Sequence, residues 1–93
     1  MYIDILYDVE KNEFQTTSDM PEEEIYETVM NFLISKFGME VDYTPSTNYD
    51  IYKIRLEYID NIIKCTHNCG NRILREGILL EYYGRLKEKL NIH

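Results

Sequence analysis

Polar and apolar residues alternate with a period of two from Ile51 to Ile59. Tyr52, Ile54, Leu56 and Tyr58 share one face; Lys53, Arg55 and Glu57 share the other. That is the pattern of a half-buried strand. Asp60-Asn61 follows, a pair that tolerates positive φ and suits a tight turn. Alternation resumes from Ile62 to His67, with Ile63, Cys65 and His67 opposed to Ile62, Lys64 and Thr66. A two-residue turn sets the register. Ile59 faces Ile62, Tyr58 faces Ile63, Glu57 faces Lys64, Leu56 faces Cys65 and Ile54 faces His67. The inner rows of the two strands then coincide, and Glu57 meets Lys64 as an opposite-charge pair worth about 0.2–1 kcal/mol. A shift of one residue would send the inner rows to opposite faces.

After this hairpin the period becomes helical. Ile73, Leu74, Ile78, Leu79, Leu80, Tyr82, Tyr83, Leu86 and Leu90 recur at helical spacing, with Asn68 or Asn71 as the N-cap. Lys87 and Lys89 fall in the last turns, where the helix dipole favours cations. Gly77 and Gly84 interrupt the helix, each at a cost of about 1 kcal/mol relative to Ala. With Ile73, the residues Gly77, Leu80 and Gly84 form one stripe. The stripe is expected to pack tightly on the sheet; the alternative is a helix–helix seam of a homodimer.

Upstream, Ile3, Ile5, Tyr7 and Val9 alternate with Tyr2, Asp4, Leu6 and Asp8, which predicts a strand. A polar turn over 10–13 leads to a second strand over Phe14–Thr17. Asp19 is expected to cap a helix, with Glu22 completing a capping box. Ser18 is the weaker cap, because Pro21 lacks the N–H its box would need. Glu22, Glu23 and Glu24 enrich the first turn. Ile25, Tyr26, Val29, Met30, Phe32, Leu33 and Phe37 make a broad apolar face, closed by Gly38. Met39, Val41 and Tyr43 predict a short strand, and 44–48 a loop. The order β-β-α-β-β-β-α reads as one α+β domain over residues 1–93: a mainly antiparallel sheet, largely a meander, with two helices on one face. Ile51, Ile59 and Ile62 would lie on the opposite, solvated face.

Charge divides the chain. The net charge is −7. Residues 1–50 carry −10 and residues 51–93 carry +3. Such asymmetry is an argument about partners rather than fold. The chain has no apolar run long enough to cross a membrane and no signal peptide, so a cytoplasmic protein without a membrane partner is expected.

Specific chemistry is thin. Cys65, His67 and Cys69 could ligate zinc only if the strand continued. A structural site wants a fourth ligand, so core packing is the expected role and no metal or cofactor is expected. A reactive Cys69, its pKa depressed at a helix start with His67 nearby, is the lesser possibility. Asn68, Gly70, Asn71, Arg72 and Arg75 bring backbone N–H groups and two guanidinium groups to a helix start, where a phosphate or carboxylate could bind. No P-loop, dinucleotide fingerprint, zinc-protease or calcium-loop motif occurs, and catalysis is not expected. In element order alone, α-β-β-β-α from Asp19 equals a double-stranded RNA-binding domain. The glutamates opening the first helix would repel phosphate and argue against nucleic acid.

The expected function is therefore that of a small acidic, non-enzymatic protein-binding module. It would act as an inhibitor or regulator, docking on a basic, nucleic-acid-binding surface of a partner through Asp4, Asp8, Glu22, Glu23, Glu24 and Glu27. The alternative is a nucleotide- or RNA-binding module built on the Asn68–Arg75 helix start.

Overall fold

A computed structural model of the chain describes residues 1–36 and 49–92. Its elements are β1 (Tyr2–Asp8), β2 (Glu13–Ser18), α1 (Glu22–Lys36), β3 (Ile51–Ile59), β4 (Ile62–His67) and α2 (Arg72–Lys89). The strand expected over Met39–Tyr43, the Gly38 cap and the loop at 44–48 lie outside the described residues.

The β3–β4 hairpin has the expected register, from Ile59↔Ile62 to Ile54↔His67. Asp60 and Asn61 adopt φ of 51° and 67°, the paired positive values that let a two-residue turn follow the strand twist. The β1–β2 hairpin closes over a longer turn, Asp8 pairing with Glu13. Asn12 takes φ 54° there, and the Asp8 carboxylate accepts the Lys11 N–H at 3.1 Å.

The two hairpins join through their first strands. The antiparallel sheet has the order β2-β1-β3-β4, with Ile3, Ile5 and Tyr7 opposite Leu56, Ile54 and Tyr52. This is two hairpin–helix units side by side rather than the expected meander. Since β2 and β3 are both antiparallel to β1, they run parallel to each other. Parallel strands cannot be joined by a tight turn, so the chain crosses from one to the other through α1.

Both helices cover one face. Ile3, Ile5, Tyr52, Ile54 and Leu56 of the sheet form one core with Val29, Phe32 and Leu33 of α1 and Ile78, Leu79 and Leu86 of α2. Fully burying a side chain of this size contributes roughly 1.5–3 kcal/mol. Tyr26 and Tyr83 stack between the helices at 4.8 Å, their hydroxyls 2.7 Å apart. None of the described elements covers the other face of the sheet. There Asp4 and Arg55 form a two-pronged ion pair at 2.5 and 2.8 Å, and Ile51, Ile59 and Ile62 are exposed. Val9, expected in the inner row, is also exposed, because β1 ends at Asp8.

The helix ends hold two further departures. Asp19 does not cap α1: its carboxylate accepts the N–H of Tyr2 at 2.9 Å. Ser18 accepts the Met20 N–H and donates to the Tyr2 carbonyl, so the turn before α1 is tied to β1. The first helical bond runs from the Ile25 N–H to the Pro21 carbonyl. Asn71 is the N-cap of α2 and accepts the Leu74 N–H at 2.7 Å. α2 ends on Asn91 at φ 54°, with the Asn91 and Ile92 N–H groups returning to the Glu88 and Lys87 carbonyls. This left-handed stop uses Asn where Gly is commoner.

Candidate functional site

A groove of about 430 Å³ runs between the edge strand β2 and the second half of α2, with the start of α1 closing one end. Inner-row alternation aims Phe14, Thr16 and Ser18 of β2 at it. Helical spacing brings Tyr82, Leu86 and Lys89 to the opposite wall. The Phe14 and Tyr82 rings meet at 5.3 Å, and Thr16 donates to the Tyr82 hydroxyl at 2.8 Å. Burial, chiefly, pushes the Tyr82 phenol pKa up. The rim charges are tied in pairs. Lys89 meets Glu22 at 2.6 Å, and Arg85 holds Glu81 and both oxygens of Asn12 while lying over Phe14. The groove thus has an apolar floor, hydroxyls along one wall and a neutralised rim. Its lining residues Phe14, Thr16 and Tyr82 were absent from the expected sites. Each is unremarkable in its own element, and only the register of β2 against α2 brings them together.

At the start of α2 the expected anion-binding set is divided. Asn68 is occupied: its side chain accepts the Lys53 N–H at 2.6 Å and donates to the Ile51 carbonyl at 3.2 Å, prolonging β4 along β3. Asn71 serves the cap, and Gly70 is half-buried in the turn. Arg75 meets the His67 ring at 3.2 Å, reaches Glu76 at 3.7 Å and lies over the Phe32 ring. His67 and Glu76 are partners that spacing alone did not reveal. His67 Nδ1, Arg72 Nε and Nη2, Arg75 Nε and Glu76 Oε1 are buried and have no hydrogen-bond partner among the described residues. Burial, and then the Arg75 guanidinium, hold the His67 pKa below its ordinary value.

Cys69 is buried and Cys65 half-buried. Burial pushes the Cys69 thiol pKa up to about 11, the opposite of the depression that a reactive helix-start thiol needs. Among the described residues no three His, Cys, Asp or Glu side chains converge to hold a metal ion.

The acidic set is not one surface. Asp4 and Asp8 lie on β1, in the row that faces away from the helices, and Asp4 is paired with Arg55. That bond holds the Asp4 carboxyl below its ordinary pKa. Glu22 is paired with Lys89, whereas Glu23, Glu24 and Glu27 are exposed on α1 without an ion pair among the described residues. The Gly77–Leu80–Gly84 stripe does not pack on the sheet. A methyl group built on either glycine meets no other described residue within 4 Å, and Ile73 and Leu80 are 41% and 42% exposed. The inward face of α2 is instead Ile78, Leu79, Tyr82 and Leu86.

The chain matches no family model, no curated protein and no solved structure.

Proposed function

We propose that the protein is a small non-enzymatic binding module, an inhibitor or regulator that docks on a basic surface of a protein partner. The observation that supports this is the groove beside β2, lined at the start of α1 by Glu22 and Ile25, on a helix that also exposes Glu23, Glu24 and Glu27 without an ion pair among the described residues. A concave, partly apolar surface gives contact area, and uncompensated charge beside it steers a partner of opposite sign. Asp4 contributes little, because Arg55 already neutralises it. A basic surface that ordinarily meets nucleic acid has the complementary charge. The test is to capture the partner from lysate on the immobilised protein and to measure association with Glu23, Glu24 and Glu27 all changed to Gln. The association rate should fall and its salt dependence flatten. An unchanged rate and salt slope would sink the reading.

The second reading, a module that takes up a phosphate or carboxylate group, draws on the guanidinium atoms of Arg72 and Arg75 that have no partner among the described residues. An oxyanion would supply the acceptors they lack. Inorganic phosphate should then raise the melting temperature above that in chloride of equal ionic strength, and Arg72→Gln should abolish the difference. Equal melting temperatures in the two salts would dismiss it.

A further inference from the structure

We propose that β2 is a strand-addition site: an extended, basic segment of the partner protein pairs with its open edge and seats alternate apolar side chains in the groove against Tyr82 and Leu86. The inference rests on the protein-binding reading and gives the partner its shape.

The edge itself is the first observation. Among the described residues β2 pairs only with β1, and no other backbone hydrogen bond reaches Glu13–Ser18. Sheets guard such edges with Lys, Pro, a bulge or an inward-pointing charge. β2 has none of these: its sequence is EFQTTS, and its register with β1 runs unbroken from Ile3↔Ser18 to Asp8↔Glu13. The opposite edge, β4, carries Lys64 in mid-strand, and Asn68 clamps its end to β3.

The groove is the second. A strand laid beside β2 would alternate its side chains between the outer face of the sheet and the helix-covered face. Those on the helix side would lie over the groove, where Thr16 and Ser18 are small enough to leave the floor of Phe14, Tyr82 and Leu86 within reach. Strand addition works in this way elsewhere: the backbone gives affinity and pockets for alternate side chains give specificity.

Charge selects the occupant. Glu13 opens β2, Glu23 stands beyond its far end, and the nearby cations Arg85 and Lys89 are already paired. The chain carries −7, so a second copy would bring like charge to the same edge. A basic segment is complementary to it.

The probe is a fluorescein-labelled octapeptide of alternating lysine and valine, titrated into the full chain. In an added strand only one alternate set of peptide N–H groups faces β2. N-methylation of the lysines and of the valines, in two separate peptides, should therefore differ: one should bind like the parent and the other at least tenfold more weakly. Amide exchange should slow in β2 and not in β4. Thr16→Arg should weaken the parent peptide at least tenfold. If that variant does not fold, the two methylated peptides decide the matter on the native chain.

Absence of peptide binding, equal binding of the two methylated peptides, or protection at β4 would each overturn the proposal. So would β2 amides already protected in a dimer seen by sedimentation without peptide, which would make a second copy the occupant. The charge-steering reading fails separately: the methylation difference could stand while the glutamine triple variant associates with the partner at an unchanged rate.

Discussion

The two hairpin–helix units have the same topology and opposite manners. The second is fastened. A two-residue turn joins its strands, Asn68 binds its end to β3, Asn71 caps its helix and Arg75 grips His67. The first is open. Its turn is longer, its outer strand pairs on one side only among the described residues, and of the glutamates that open its helix Glu22 alone has an ion pair among them. Both units feed one core, Ile3, Ile5 and Phe32 from the first and Ile54, Leu56 and Leu79 from the second, so the difference between them lies at the surface. The exposed glutamates of α1 and the β2 edge, unpaired among the described residues, fall on the same unit, and the proposed binding role rests on both.

The largest expected effect tests whether the units nonetheless share one core. Phe32 belongs to the first unit, is 1% exposed and lies under Arg75 of the second. Phe32→Ala should cost about 3–5 kcal/mol in urea unfolding and keep a single transition. Two separated transitions would mean that the units fold independently.

The helix starts give a smaller difference. Asn71→Ala should cost about 1 kcal/mol and reduce helix content, because it removes a true cap. Asp19→Ala should leave helix content unchanged, because Asp19 serves the Tyr2 N–H instead. Circular dichroism with urea titration compares them; equal loss of helix would restore Asp19 as a cap.

Next come the glycines of α2. With no other described residue near the added methyl, Gly77→Ala and Gly84→Ala should each stabilise the chain by about 1 kcal/mol through helix propensity. Destabilisation, or loss of a dimer in sedimentation, would place the stripe in an interface.

The smallest effects separate the units by acid. The pKa of His67 is lowered in the fold, so the unfolded chain takes the proton more readily and stability falls as pH drops below the ordinary value of 6.5. The pKa of Asp4 is also lowered, so its contribution is complete above the ordinary value of 3.8 and is lost as pH falls through the folded value. His67→Gln should therefore flatten the upper part of the stability–pH curve, and Asp4→Asn the lower part. A curve unmoved by either change would remove the two groups from the account.

The β3–β4 register was legible because Asp60 and Asn61 admit only a short turn and the inner rows then agree. The α+β class, with both helices on one face, was legible from the same periodicities. The sheet order was not: β1 and β3 have the same alternation whichever neighbour they take. The direction of α2 was misread because it has apolar residues on more than one side. Ile73 and Leu80 look as inward as Ile78 and Leu79 until packing chooses. Asp19 satisfied a local rule that cannot see Tyr2, seventeen residues back. The groove escaped notice because it belongs to no single element, and the buried Arg72–Arg75 atoms because spacing does not report depth.

The central pairing of β1 with β3 has a consequence in time. Each hairpin closes a short loop, whereas Asp8 must find Ile51 and Tyr2 must find Glu57 across much of the chain. Closing the longer loop costs more entropy before any contact rewards it. Pairing of β1 with β3 is therefore expected to be the slow step of folding. A lesion at Ile5 or Ile54, where the pairing is made, would retard refolding, while damage at the free edge of β2 would chiefly hasten unfolding. The outer strand β2 is thus expected to be the one the chain can most easily let go.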